Sequence, residues 1–345
     1  MKEKEISQEE INVYDRQIRL WGIQAQKRIR NSSVLLIHIR ELAEEIAKNL
    51  VLSGIGTLTL LDDGTVEKID SKTQFCIGLS DIGMNYADVV SRVLKEFNPS
   101  VTLEINTTPL FDVSDDYFSG FDVVIATELE LDLIVSMKIH CVQSLYTKIH
   151  LNTVCRAQKV PFYTCAMYGF YGYIFVDLIK HTYSIEKKAS GRSKKTTRIE
   201  YTEQYHPFPE VVNHEYGKLL TEKHAKKVSQ FLPGIIGKPV TVFVSFDPEK
   251  GLLCFQKRFS RFPAAPDEMS HYLSLVRETA QRLALSDQIL KDSDLIHLAE
   301  NAAYKWPPVA SVIGGVLAQD VLNVLSSQER PIQNWFIFDG EKCMS

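Results

Sequence analysis

Apolar residues in this chain follow two rhythms. Short unbroken runs at Val34–Ile37, Leu58–Leu61 and Val123–Ala126 have the length and content of strands buried on both faces. Between them, apolar positions recur at helical spacing. Leu42, Ile46, Ala47, Leu50 and Val51 share one face, and Asn85 to Phe97 repeats the pattern until Asn98-Pro99 stops it. Val101–Ile105, Phe162–Thr164 and Tyr173–Leu178 predict further strands, and Asp132–Cys141 a further helix. Strand, helix and strand in alternation with short joins predict an α/β fold with a doubly wound, Rossmann-like sheet.

The flanks read differently. Ile11, Tyr14, Ile18 and Trp21 predict one helix from Glu9 to about Arg30. From about Lys180 to Pro209 the chain is polar, and the Ser/Lys/Gly-rich stretch Lys187–Thr197 predicts a mobile loop. Beyond it come a predicted helix from Glu215 to about Leu232, strands at Thr241–Ser245 and Leu252–Gln256, and helices at Met269–Ala284 and Asp294–Ala303. The first style then returns. Val309–Leu325, with Ala310, Gly314, Gly315 and Ala318, predicts a helix packed closely on another surface, and Trp335–Gly340 a last strand and turn. These shifts divide the chain into 1–179, an inserted smaller α+β segment or half-domain over 180–301, and 302–345, which completes the first part.

Composition narrows the function classes. The 345 residues are 45% hydrophobic and 24% charged, with a formal net charge of -4. That is ordinary for a globular protein and gives no global attraction to nucleic acid or membrane. The basic run from Lys187 to Lys195 is the local exception; a solvated loop is the plain reading, and nuclear import or an acidic contact the alternative. The N-terminal MKEKEISQEE has no apolar signal core, and no apolar run is read as a membrane span, so the expectation is an intracellular protein. The six cysteines include no C-x-x-C pair, which argues against a structural zinc and against a disulfide framework, so no metal site is expected. Cys165 has no adjacent histidine and reads as a structural thiol.

The loop after the first strand carries the main anomaly. A nucleotide-binding sheet places G-x-G-x-x-G there, so that backbone N–H groups and the helix N-terminus can approach phosphates. Here the segment is His38-Ile39-Arg40-Glu41-Leu42-Ala43, with a side chain at every position. Glu41, Glu44 and Glu45 crowd the first helical turn, where carboxylates favour the helix dipole and repel a triphosphate. Asp62 ends the second strand, where an acid can hold a ribose; a turn or cap aspartate is the equal alternative.

The second dense motif is Tyr14-Asp15-Arg16-Gln17-Ile18-Arg19-Leu20-Trp21-Gly22. Arg16 and Arg19 are neighbours on a helix surface. A guanidinium there either joins a surface ion pair or reaches a phosphate on another molecule.

Taken together, YDRQIRLWG, VLLI…EIAKNLVLSGIGTLTLLD, Thr73-Gln74-Phe75, FDVVIATELELD, YGFYGYIFVDL, PPVASVIGGVLAQDVLNVLS and FIFDG resemble the ubiquitin-like-modifier activating enzyme family, in its order and over nearly the whole chain. The resemblance implies a ThiF/MoeB-type adenylation fold. The catalytic members' loop glycines, Asn-Arg before Gln-Phe, helix lysine and Asp-Asn pair are replaced here by Lys72-Thr73, Tyr86 and about Thr127-Glu128. This chain therefore resembles the inactive half of a heterodimer, and its length favours the SUMO branch, with a NEDD8-type small subunit or a plain scaffold as alternatives. On that resemblance, ATP and Mg²⁺ lie in a catalytic partner, which adenylates the modifier's C-terminal glycine and takes it as a thioester; this chain's own loop binds no cofactor. Arg16 is the implied contact to the partner's ATP, Asp62 a vestigial ribose position, and Arg19, Trp21, Gln74 and Phe75 interface residues. The implied partners are a catalytic SUMO-activating subunit, SUMO through the complex and a SUMO-conjugating enzyme downstream, in nucleus and cytoplasm.

Overall fold

The computed structural model describes residues 5–129, 141–188, 196–213, 266–282 and 291–340. A seven-stranded sheet runs through the centre in the order β3-β2-β1-β4-β5-β6-β9. Its strands are β1 (Ser33–Ile37), β2 (Thr57–Leu61), β3 (Thr102–Asn106), β4 (Val123–Thr127), β5 (Phe162–Tyr168), β6 (Tyr171–Asp177) and β9 (Trp335–Asp339). From β3 to β5 all pairs are parallel; β6 and β9 add antiparallel strands at one side. The crossover reverses between β1 and β4, the switch point at which open α/β sheets form a ligand crevice.

Each face of the sheet has its own core. Val34, Leu36, Leu58 and Leu60 face α4 (Glu41–Leu52), α6 (Tyr86–Phe97) and α11 (Pro307–Ser326). Leu35, Ile37, Val124, Ala126 and Phe162 face α7 (Cys141–Ala157), α8 (Phe208–Asn213), α9 (Pro266–Arg282) and α10 (Asp292–Asn301). The described helices of 180–301 thus share the core of the central sheet. The helix expected at Asp132–Cys141 lies almost wholly outside the described residues, as does most of the basic run; the helix expected at 215–232 and the strands expected at 241–245 and 252–256 lie wholly outside them.

Three expectations change. The N-terminal helix is three short ones, α1 (Gln8–Val13), α2 (Asp15–Trp21) and α3 (Ile23–Arg30), broken at Tyr14 and at Gly22, whose φ is 86°. The polar stretch after Ile179 contains a hairpin, β7 (Lys180–Lys188) with β8 (Thr196–Gln204), which pairs Tyr183 with Tyr201 and Ile185 with Ile199. Its alternating apolar residues are a strand signal hidden by the surrounding charge. Finally, α11 does have the length and apolar content of a membrane-crossing helix; 61% of its most apolar stretch is buried in the protein. It packs on α4 so closely that a β-carbon at Gly314 would lie 2.8 Å from Glu45 Cβ.

Candidate functional site

The crevice at the β1/β4 switch point is built from the loop after β1, the ends of β2 and β4, and the start of α6. His38 has φ 66°, so the loop keeps the left-handed backbone of a glycine although a histidine occupies it. Two contacts hold it there: His38 Nδ1 lies 3.0 Å from the Thr127 carbonyl oxygen, and the Thr127 hydroxyl donates to the His38 carbonyl. Ala43 is fully buried in the helix-side core.

Arg40 does not face solvent. Its Nη1 donates to Asp62 Oδ2 at 2.8 Å and to the Ile39 carbonyl at 2.7 Å, and its guanidinium lies 3.7 Å from the centroid of the Tyr86 ring. Asp62 also accepts the N–H of Ile39 at 2.5 Å and of Gly64 at 2.7 Å. Asp62 is therefore both the acid at the end of β2 and the cap of two turns, and all of this is buried. The Tyr86 hydroxyl donates to Asp70. At the end of β4, Glu128 has φ 42° and accepts a hydrogen bond from Lys305.

The expected picture of carboxylates facing a phosphate needs correction. Burial raises the pKa of Glu44 to about 8, with the Glu41 and Glu45 charges adding to it and the Cys76 and Phe75 amides opposing. Glu44 is thus largely protonated at neutral pH, and its Oε2 accepts the Cys76 N–H at 3.2 Å. Glu45 points to α11, where Ser311 donates to it at 2.9 Å. Burial also raises the pKa of Glu41, with Glu128 adding to it. Between the end of β2 and the start of α6, the crevice holds the Arg40–Asp62–Tyr86 contact rather than these carboxylates.

The crevice beside Gly64 is closely packed. A β-carbon at Gly64 would meet Asp62 Oδ1 at 2.9 Å, Arg40 Nη2 at 3.1 Å and Tyr86 Cδ2 at 3.3 Å, so these three side chains pack directly against the Gly64 backbone. Among the described residues no cluster of His, Cys, Asp or Glu is arranged to hold a metal ion. Cys76, Cys155 and Cys165 are buried and form no disulfide, and burial raises the pKa of Cys155 to about 12, far from a nucleophile's range.

The N-terminal motif is organised around its first residue, Tyr14, which breaks the predicted single helix and anchors the arm. Tyr14 is buried, its ring lies against Gly54, and its hydroxyl accepts from Asn98 Nδ2 at 2.7 Å. Asn98 also donates to the Val51 carbonyl at 2.8 Å, so the tyrosine is tied to the end of α4. Arg30 and Glu10 form an ion pair at 2.6 Å that fastens α1 to α3. On this anchored arm Arg19 is committed to Asp15 at 2.9 Å. Arg16 is exposed and makes no ion pair among the described residues. Trp21 is half-buried and donates to Gln26 at 3.0 Å.

The expected interface residues separate. Phe75 is 48% exposed, with Lys48 Nζ 5.0 Å from its ring. Ile69, Leu79, Ile82 and Met84 are exposed on the same segment. Gln74 does not face outward: it is buried and donates to Asp70 at 3.2 Å.

Comparison with known proteins agrees with this geometry. Residues 14–343 match the ThiF family. The DNA damage tolerance protein rad31 of Schizosaccharomyces pombe is 34% identical over 99% of this chain and 97% of its own length. SUMO-activating enzyme subunit 1 of Xenopus laevis is 33% identical, covering 99% and 96%, and that of Homo sapiens is 30% identical, covering 98% and 94%. A crystal structure of PaaA has the same fold, with a TM-score of 0.54 and 14% identity over 98% of this chain and 73% of that one. Sheet order, crevice and near-full-length relatives show that this chain belongs to the ThiF family, in the group whose members are named SUMO-activating enzyme subunit 1.

Proposed function

We propose that this chain is the non-catalytic subunit of a heterodimeric SUMO-activating enzyme and that Arg16 acts in the partner's active site. The observation that carries this reading is the contrast between two arginines of one fold. Arg40 lies inside the chain's own crevice, paired with Asp62. Arg16 stands exposed on an arm that Tyr14 and the Arg30–Glu10 pair fasten to the fold. A planar guanidinium presented from a fixed support loses little entropy on binding phosphate.

In this reading ATP and Mg²⁺ are bound by the partner alone. Displacement at the α-phosphate by the modifier's C-terminal carboxylate releases pyrophosphate, and Arg16 stabilises charge on the phosphate oxygens during that step. This chain's other tasks are to present a docking surface, to which Phe75 and Leu79 contribute, and to hold the arm in place. Nuclear and cytoplasmic location follows from the same reading.

Co-purification tests the assignment. Tagged chain expressed in its own cells should recover a catalytic subunit that forms a thioester with SUMO. Recovery instead of a NEDD8-type catalytic subunit would overturn the choice of branch. Adenylate formation by this chain in isolation would overturn the non-catalytic role.

A further inference from the structure

Asp62 and Tyr86 have the chemistry of a nucleoside site: a carboxylate at the end of β2 suits ribose hydroxyls, and an aromatic face suits a base. The space between them is taken. Arg40 Nη1 is 2.8 Å from Asp62 Oδ2, and its guanidinium is 3.7 Å from the Tyr86 ring centroid. Arg40 is 8% exposed, and a methyl group on Gly64 would lie 2.9 Å from Asp62 Oδ1 and within 3.3 Å of both Arg40 and Tyr86. A guanidinium is the protein group able to stack on a ring and donate to a carboxylate in one plane.

We propose that Arg40 is an internal occupant of the nucleoside position, so that the domain folds and stays closed with no nucleotide bound. This deepens the proposed function, on which it rests: the cleft has not merely lost affinity but has been filled from the phosphate loop itself. The ion pair of Lys305 with Glu128 sits at the end of β4.

Thermal unfolding of the full chain tests this. Arg40→Ala should lower Tm by roughly 3–6 °C. Millimolar methylguanidinium should raise the Tm of the variant but not of the wild type, because only the variant has a vacated site. Millimolar ATP should leave the wild-type Tm unchanged. An unshifted variant, no selective effect of methylguanidinium, or a wild-type chain stabilised by ATP would each overturn the proposal. Should Arg40→Ala yield no folded protein, phenylglyoxal labelling of the wild-type chain read by peptide mass spectrometry decides it. Arg40 should be protected while Arg16 reacts; equal labelling would overturn it. Neither readout involves a partner or adenylation, so this proposal and the role of Arg16 can fail separately.

Discussion

The Tyr14 ring occupies the space that a side chain at position 54 would need. A β-carbon on Gly54 would overlap the ring, and the backbone there has φ 78°. The end of α4 is thereby shaped to receive the arm that bears Arg16, two residues beyond the anchor.

Gly54→Ala should therefore destabilise the chain by roughly 1–3 kcal/mol, through both the left-handed backbone and the displaced ring. The arm should loosen, so trypsin should cut after Arg16 and Arg19 faster than in the wild type. Urea unfolding and timed digestion measure both effects. Unchanged stability with unchanged cleavage would mean that Tyr14 is not the anchor.

Glu44 gives a pH prediction. Folding raises its pKa from 4.5 to about 8, so the folded chain holds a proton that the unfolded chain releases over that range. The contribution to stability is complete below pH 4.5 and is lost as the pH rises through about 8. Glu41, Glu45, Cys76 and Lys48 surround the same carboxyl or the thiol beside it. Glu44→Gln should be more stable than wild type at pH 9, by on the order of 1–2 kcal/mol, with a flatter slope from pH 6 upward. Parallel unfolding curves for the two proteins would contradict an uncharged buried Glu44.

Two adjacent glycines in α11 should respond in opposite directions. At Gly314 a β-carbon meets Glu45 Cβ at 2.8 Å and the Ile46 nitrogen at 3.3 Å, whereas at Gly315 nothing lies within 4 Å. Gly314→Ala should cost about 1–3 kcal/mol by forcing α11 off α4. Gly315→Ala should add about 0.5–1 kcal/mol of stability to the isolated chain by removing a mid-helix glycine. Urea midpoints of both variants check the pair, and equal effects would contradict the close approach of α4 and α11.

Much of this architecture was legible in the sequence because it rests on short-range patterns. The apolar runs at Val34 and Val123 place the core strands, and the helix expected from Val309 to Leu325 is α11, which begins two residues earlier at Pro307 and ends one later at Ser326. The degenerate loop was equally plain, since every glycine position carries a side chain. What could not be read was where those side chains point. Arg40 and Tyr86 are far apart in sequence and meet only because β1 and β2 are parallel neighbours with α6 following, so a local reading assigned the obstruction to Glu41, Glu44 and Glu45. Glu44 turns toward the Cys76 amide and Glu45 toward Ser311, contacts set by tertiary packing. The β7–β8 hairpin was missed because its alternating Tyr and Ile residues are embedded in charge.

The central claim concerns Arg16; Arg19 shares its helix and is exposed as well, but is paired with Asp15. ATP–pyrophosphate exchange by the reconstituted heterodimer tests it most directly. Arg16→Ala should lower exchange by at least ~10-fold while the heterodimer elutes intact, and Arg19→Ala should stay within ~3-fold of wild type. Exchange at the wild-type level by an intact Arg16→Ala heterodimer would contradict the account.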